Sequence, residues 1–222
     1  MKLPALLLSS ALLFAASASA QNGVPYSAQR VNERVQTLVD GTRITQKPHK
    51  VNEYQDSWGR TRTDDLSPDS DEVVSANISD PLAGFRYTLD LSAHTARRWS
   101  LAKPSKPASS PAQKQAEAPQ VSRDSLGTQT IEGLLVQGTR TATVHPVGAF
   151  GNDRPLTVIT ETWRSPELQT TLLLKISDPR SGETTIRLTN ISRSEPDPSL
   201  FQVPAGYEIT DAGPSSVPRK LQ

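Results

Sequence analysis

Residues 156–177 read LTVITETWRSPELQTTLLLKIS, and the period of this stretch decides the fold. Val158, Thr160 and Thr162 fall on one side of an extended chain, and Ile159, Glu161 and Trp163 on the other. That two-residue alternation, rich in β-branched residues, is the mark of a strand with two different faces. Ser165-Pro166-Glu167 then breaks the run, and LQTTLLLKIS (168–177) follows as an apolar core strand. Two strands and a turn thus fill 22 residues with no helical period.

The same pattern spreads outward. ETTIRLTNIS (183–192) places Ile186, Leu188 and Asn190 on one face. TQTIEGLLVQGTRTATVHP (128–146) reads as extended chain with Gly133 and Gly138 as bend or bulge sites. In the N-terminal half, QRVNERVQTLV and TRIT flank Asp40-Gly41, the strongest short hairpin signal. Trp58-Gly59 separates HKVNEYQD from RTRTDD, and EVVSANIS, FRYTLDL and TARRWSL continue the series. SDPLAG (79–84) and SDPRSG (177–182) both have aspartate, proline and glycine where a tight turn wants them. They are either one turn chemistry used twice or the trace of a duplicated unit. The fold expected is mainly β: an extended antiparallel sheet or half-barrel with few short helical turns.

The chain divides by composition. Residues 1–20, MKLPALLLSSALLFAASASA, have a charged start, an apolar middle and a small-x-small end, which reads as a secretory signal peptide. Residues 21–101 hold the N-terminal hairpins. Residues 102–124 are rich in Pro, Ala, Ser and Lys and read as a disordered linker, because they offer too little apolar area to offset the entropy of ordering. Residues 125–211 form a C-terminal β region packed with the N-terminal strands in one sheet, and 212–222 a disordered tail. The expected location is periplasmic or extracellular.

Charge narrows the function. Of 24 Lys+Arg and 23 Asp+Glu, only Lys2 lies in the signal, so the remainder is balanced at 23 against 23. Nucleic acid would call for a basic stripe. No later stretch has the run of about 18 apolar residues that a membrane-spanning helix needs, so a monomer that does not cross a membrane is expected. There are no cysteines, hence neither disulfides nor thiol chemistry.

Catalytic patterns are missing: there is no GxSxG, HExxH, Walker A loop or GxGxxG, and His49, His94 and His145 lie far apart. The expectation is a non-enzyme with no cofactor and no metal. DDLSPDSDE (64–72) carries five carboxylates but lacks the EF-hand spacing, and it reads as a solvated, self-repelling loop. In GAFGNDRPL (148–156), Asn152 and Arg154 are either turn-formers or an anion contact. Arg97-Arg98-Trp99 is either an anion or aromatic contact or a charged edge strand. Asn77 and Asn190 each begin an Asn-Ile-Ser glycosylation pattern.

Near the end stands EPDPSLFQVPAGYEI (195–209). Asp197-Pro198 suits the cap and first position of one helical turn, which presents Leu200 and Phe201 to the sheet. A last strand then carries Tyr207 and Ile209 on one face. With Trp163, Asn152 and Arg154, Phe201 and Tyr207 make up the candidate ligand-face and structural residues.

Thr130-Ile131-Glu132-Gly133, Gly151-Asn152-Asp153, Glu161-x-Trp163-x-Ser165-Pro166-Glu167-Leu168, Asp178-Pro179-x-x-Gly182-Glu183 and Glu195-Pro196-Asp197-Pro198-x-Leu200-Phe201 resemble a family of small exported bacterial proteins of uncharacterised function. The outline, with its Phe-x-x-Pro-x-x-Tyr-like ending, is also similar to periplasmic lipoprotein carriers, the LolA/LolB-like half-barrels. That resemblance implies a curved sheet, an apolar cavity for acyl chains and a lipid or other apolar ligand. Those carriers close the open face with amphipathic helices, and no apolar helical period of three turns is legible here. The alternative is a protein-interaction or structural module of the cell envelope that works through its sheet edges, with an envelope protein as partner.

Overall fold

The structure is a computed structural model, and it describes residues 23–101 and 118–214. The expected signal peptide and most of the expected linker lie outside the described residues.

Among the described residues, thirteen strands form one sheet. In chain order they are β1 (Tyr26–Thr37), β2 (Arg43–Thr45), β3 (His49–Gln55), β4 (Thr61–Leu66), β5 (Val73–Asp80), β6 (Phe85–Asp90) and β7 (Thr95–Ser100). Then come β8 (Gln120–Ile131), β9 (Leu134–His145), β10 (Leu156–Ser165), β11 (Thr170–Asp178), β12 (Gly182–Ser192) and β13 (Glu208–Pro214). The spatial order is β13-β7-β6-β5-β4-β3-β1-β12-β11-β10-β9-β8, with β2 beside the far end of β1. Two meanders, β3–β7 and β8–β12, therefore meet on the long strand β1. Open sheets of this size curl rather than stay flat.

Turn chemistry sets the hairpins where the sequence placed them. Thr42 N–H donates to the Asp40 carboxylate at 2.9 Å, and Asp56 accepts from the N–H groups of Trp58 and Arg60 at 3.0 and 2.8 Å. Both SDPxxG turns close on their aspartates: Leu82 and Ala83 donate to Asp80, and Arg180 donates to Asp178. Glu132 and Gly133 sit at φ of 49° and 74° and make the two-residue turn between β8 and β9.

Several readings need correction. Strand β8 begins at Gln120, inside the stretch read as linker to Asp124, because Gln120–Asp124 pair with Val144–Arg140 of β9. Gly138 is neither bend nor bulge; the nearby bulge belongs to β8, between Ser125 and Gly127. The missing side chain of Gly138 instead makes room for the Trp163 ring. The sheet is not antiparallel throughout, since β13 runs parallel to β7 and reaches Pro214 of the expected tail. The acidic stretch is not simply a solvated loop: Asp64 is buried and pairs with Arg62 at 2.6 Å, Asp69 pairs with Lys47, and Asp71 with Lys50 at 3.0 Å.

Among the described residues there is one helical turn, a 3-10 turn at Pro198–Phe201, and the Asp197 carboxylate accepts from Ser199 N–H at 2.9 Å as the Asp-Pro pair predicts. Residues 193–207 leave β12 in the middle of the sheet and return to its edge as β13. They cross the β4–β6 face as a strap. Phe201, 3% exposed, packs on Ala76, Ile78, Leu89 and Ala96, with Tyr54, Tyr87, Leu200, Val203 and Tyr207 around it. A second cluster, Tyr26, Ala28, Leu134, Val136, Leu168, Leu172 and Leu188, gathers where β9 begins and β10 ends, with Trp163 against it.

Candidate functional site

Cross-strand register defines a groove. Residues directly opposite in a sheet share a face. Gly138, Trp163, Leu173, Arg187 and Val31 form one such row across β9, β10, β11, β12 and β1. Glu161, Lys175, Thr185 and Glu33 form the next, and Ile159, Ser177, Glu183 and Val35 a third. A trough of about 390 Å³ beside Trp163 is lined by Gln129 and Ile131 of β8, by Leu173 and Lys175, and by Arg187 and Thr189 of β12. Strands four places apart in the sheet thus wall the same space, so the sheet is concave on this side. A second hollow of about 300 Å³ continues over Ile159, Glu161, Lys175 and Glu183.

The strap lies on the same face, farther along the sheet. Gln29 follows the Val31 side of β1, and its row runs through Asn52, Asp64, Ala76, Leu89 and Ala96, the floor beneath Phe201. The strap thus covers the β4–β7 half and leaves the β9–β12 half open.

The strap is fastened to the β3–β4 hairpin at three places. The Glu195 carboxylate accepts from Ser57 N–H at 3.0 Å and Ser57 Oγ at 3.1 Å. Arg62 Nη1 donates to the Leu200 carbonyl at 3.0 Å. The Arg60 guanidinium stands 5.0 Å from the Phe201 ring centre while bound to the buried Asp56 carboxylate at 2.6 Å. Asp64, beneath the strap, has its carboxyl pushed above the usual range by burial, which the Arg62 hydrogen bond opposes. Tyr54 beside it is also raised, first by burial and then by the Asp64 charge.

The trough is amphipathic. Ile131, Trp163 and Leu173 make its apolar end. Toward the middle, Arg140 pairs with Glu161 at 2.6 Å and Arg187 with Glu33 across the β1–β12 boundary. Lys175 is exposed and has no carboxylate within ion-pair distance among the described residues. At the outer edge stands β8, twelve residues long and almost wholly exposed, with no strand on its outer side among the described residues.

The sequence-derived candidates do not form one site. Trp163 floors the trough. Phe201 is the strap's anchor, and Tyr207 lies edge-on to His94 with ring centres 5.5 Å apart. Asn152 holds its own loop, donating to the carbonyls of Pro146 and Arg154 at 2.8 and 2.7 Å and accepting from Phe150 N–H at 2.9 Å. Arg154 projects into solvent beside Asp153 at 3.5 Å. Lys175, Leu173, Arg187 and Gln129 were not singled out from the sequence. The alternation in LLLKIS puts Leu173 and Lys175 on one face, and what the sequence lacked was which face meets Trp163. Among the described residues no three His, Asp or Glu stand close enough to hold a metal ion, and no helix is long and apolar enough to cross a membrane.

No protein-family model matches the chain, and no curated protein matches it. Solved structures do. An uncharacterized conserved protein from Thermus thermophilus is 10% identical, over 86% of this chain and 92% of that one, with a TM-score of 0.48. MucB in the Pseudomonas aeruginosa MucA/MucB complex is 13% identical at a TM-score of 0.44, and the match covers 80% of this chain and 55% of that one. The LolA superfamily protein NE2245 from Nitrosomonas europaea is 9% identical over 82% of this chain and 91% of that one, at 0.35. The likeness to all three is one of fold alone.

Proposed function

We propose that this is a non-enzymatic binding protein of the bacterial cell envelope, exported by its first twenty residues, which holds an extended polypeptide segment in the trough beside Trp163. The observation that carries this reading is the mixed lining of the trough. The apolar side chains of both halves are largely consumed by the two clusters, and the open face offers Glu161, Lys175 and Arg187 beside Trp163 and Leu173. An acyl chain laid there would strip water from charged groups and return no hydrogen bonds. A polypeptide returns them. The edge of β8, which has no strand beside it among the described residues, supports the reading, because an added strand gains main-chain hydrogen bonds there and turns alternate side chains toward Gln129 and Ile131. The apolar end alone favours a second reading, a lipid or other apolar ligand held on Trp163, Leu173 and Ile131.

A photo-crosslinking side chain at Gln129 tests the proposal in envelope extract, with Leu82, in the exposed β5–β6 turn, as control. The reading predicts covalent polypeptide adducts at Gln129 and none at Leu82. Equal labelling at both positions would contradict it. Lipid that co-purifies with the protein and is lost in Trp163→Ala would favour the second reading.

A further inference from the structure

The hairpin of β1 and β2 projects past the rest of the sheet. Pairing with β3 ends at Asn32 and pairing with β12 ends at Val35. Beyond that point only β2 stands beside β1, through Gln36–Ile44 and Thr37–Arg43. Every residue from Gln36 to His49 is exposed. Three of them are large and apolar: Leu38, Val39 and Ile44 are 40%, 110% and 45% exposed. Single apolar side chains on a surface are ordinary. Here three crowd one tip, and neither hydrophobic cluster uses any of them.

The turn uses its own polar groups. Leu38 N–H donates to the Thr42 carbonyl at 2.8 Å, Gly41 N–H to the Leu38 carbonyl at 3.0 Å, and Thr42 N–H to the Asp40 carboxylate at 2.9 Å. Backbone donors already bonded internally leave water at little cost. Cations stand behind the tip. Arg43 holds the first rung after the turn, and Arg34 the fourth, where Gln46 N–H donates to its carbonyl at 3.0 Å. Neither guanidinium has a carboxylate partner among the described residues, whereas Lys47 is held by Asp69. At about 3.3 Å per residue, Arg43 lies roughly 7 Å and Arg34 roughly 17 Å behind Val39. The neighbouring loops widen this end of the sheet. Gly182 packs the β11–β12 turn against Gln36, and Arg180 of that turn lies 3.9 Å from the centre of the Phe150 ring. Phe150 and Val147 are themselves exposed.

We infer that the β1–β2 hairpin docks on an anionic lipid bilayer, Leu38, Val39 and Ile44 entering the headgroup region and Arg43 and Arg34 meeting lipid phosphates. An apolar group held at an interface sits about 5–10 Å deep, which brings Arg43 level with the phosphates when Val39 is immersed. Asp40, charged and at the turn, keeps the entry that shallow. The two faces of the ribbon differ: Arg34, Gln36 and Ile44 share one, Thr37 and Arg43 the other. A convex tip with cations on both faces suits a fluid surface that surrounds it, more than a groove that meets one side. The charge is local, since the chain after residue 20 is balanced at 23 acids and 23 bases. This inference does not depend on the peptide reading of the trough.

The chain has no cysteine, so Val39→Cys and Leu82→Cys each give one site for an environment-sensitive fluorophore. Leu82, exposed in the β5–β6 turn, is the control. The protein in its exported form is mixed with vesicles of phosphatidylethanolamine and phosphatidylglycerol, or of phosphatidylcholine alone. Phosphatidylglycerol vesicles are expected to shift the label at 39 to the blue and to leave the label at 82 unchanged. In vesicle flotation, Val39→Asp and the pair Arg34→Gln with Arg43→Gln should each weaken binding about tenfold or more, as should replacing the anionic lipid. Leu82→Asp should bind like the parent, and thermal melting shows that each variant is folded. The inference is overturned if phosphatidylglycerol vesicles do not bind, if phosphatidylcholine binds equally, or if both labels shift alike. It is also overturned if Val39→Asp binds like the parent, or if the label at 39 shifts only with lipid-free envelope protein.

Discussion

Gly138 and Trp163 lie directly opposite one another in the β9–β10 ladder, and the indole occupies the space above the glycine. A Cβ built on Gly138 would stand 2.5 Å from Cζ3 and 2.7 Å from Cε3 of that ring. The floor of the trough therefore depends on a missing side chain one strand away. Gly138→Ala forces the ring to move, at a cost of about 1–3 kcal/mol for overpacking. The near-ultraviolet circular dichroism of tryptophan should change along with the melting temperature. An unchanged spectrum would show that the ring is not held where we place it.

Phe201 anchors the strap. It is 3% exposed and fills the space over Ala76, Ile78, Leu89 and Ala96. Phe201→Ala should cost about 3–5 kcal/mol in chemical denaturation, the range for a truncated core aromatic. The variant that remains folded should keep its affinity at the trough, since Trp163 belongs to the other cluster. A melting temperature equal to that of the parent would remove the strap from the list of elements holding the sheet.

Glu195 fastens the start of the strap through two hydrogen bonds to Ser57. Glu195→Ala should cost about 1.5–3 kcal/mol, the range for hydrogen bonds to a charged group, because it leaves the buried Ser57 without its acceptor. Native-state hydrogen exchange should show faster opening of the strap and of β13 while β9–β12 stay protected. Uniform acceleration across the sheet would contradict that separation.

Acid should destabilise the fold below about pH 4, the ordinary carboxylate range. Asp178, Asp197 and Asp211 are held below their ordinary value, chiefly by hydrogen bonds from the Arg180 side chain, Ser199 N–H and the Arg98 side chain in turn. A depressed carboxyl stabilises the folded state above its unfolded pKa, and that stability is lost as pH falls through the folded value. Asp64, raised by burial, has the opposite sign: its contribution is complete below its unfolded pKa and lost as pH rises through the higher folded one. Asp211→Asn should therefore flatten the acid limb of a melting-temperature profile. A profile that falls equally steeply in this variant would assign the acid limb to other groups.

Much of this architecture was legible because it is local. Asp40-Gly41, Asp56 with Gly59, and the two SDPxxG stretches fix their turns with their own side chains, and Asp197-Pro198 writes its helical turn into five residues. The pairings that make one sheet are not local. Strand β1 joins β12 through partners such as Arg30 and Leu188, which lie far apart in sequence, and nothing in either segment names the other. The parallel seat of β13 on β7 was hidden for the same reason, although Arg98 and Asp211 clasp it with two hydrogen bonds. Gly138 misled because a glycine in a strand reads as a bend until the ring above it is known. Gln120–Asp124 misled because an edge strand needs no apolar face, so its composition matches that of a linker.

The central claim is that the concave face between β8 and β12 receives an extended polypeptide. Peptides selected from a random library on the immobilised full-length protein provide the ligand, and hydrogen exchange of the complex provides the map. The account predicts new protection in residues 120–131 and 159–175, abolished by Trp163→Ala. Protection confined to the β5–β7 strands, or no enriched peptide at all, would contradict it.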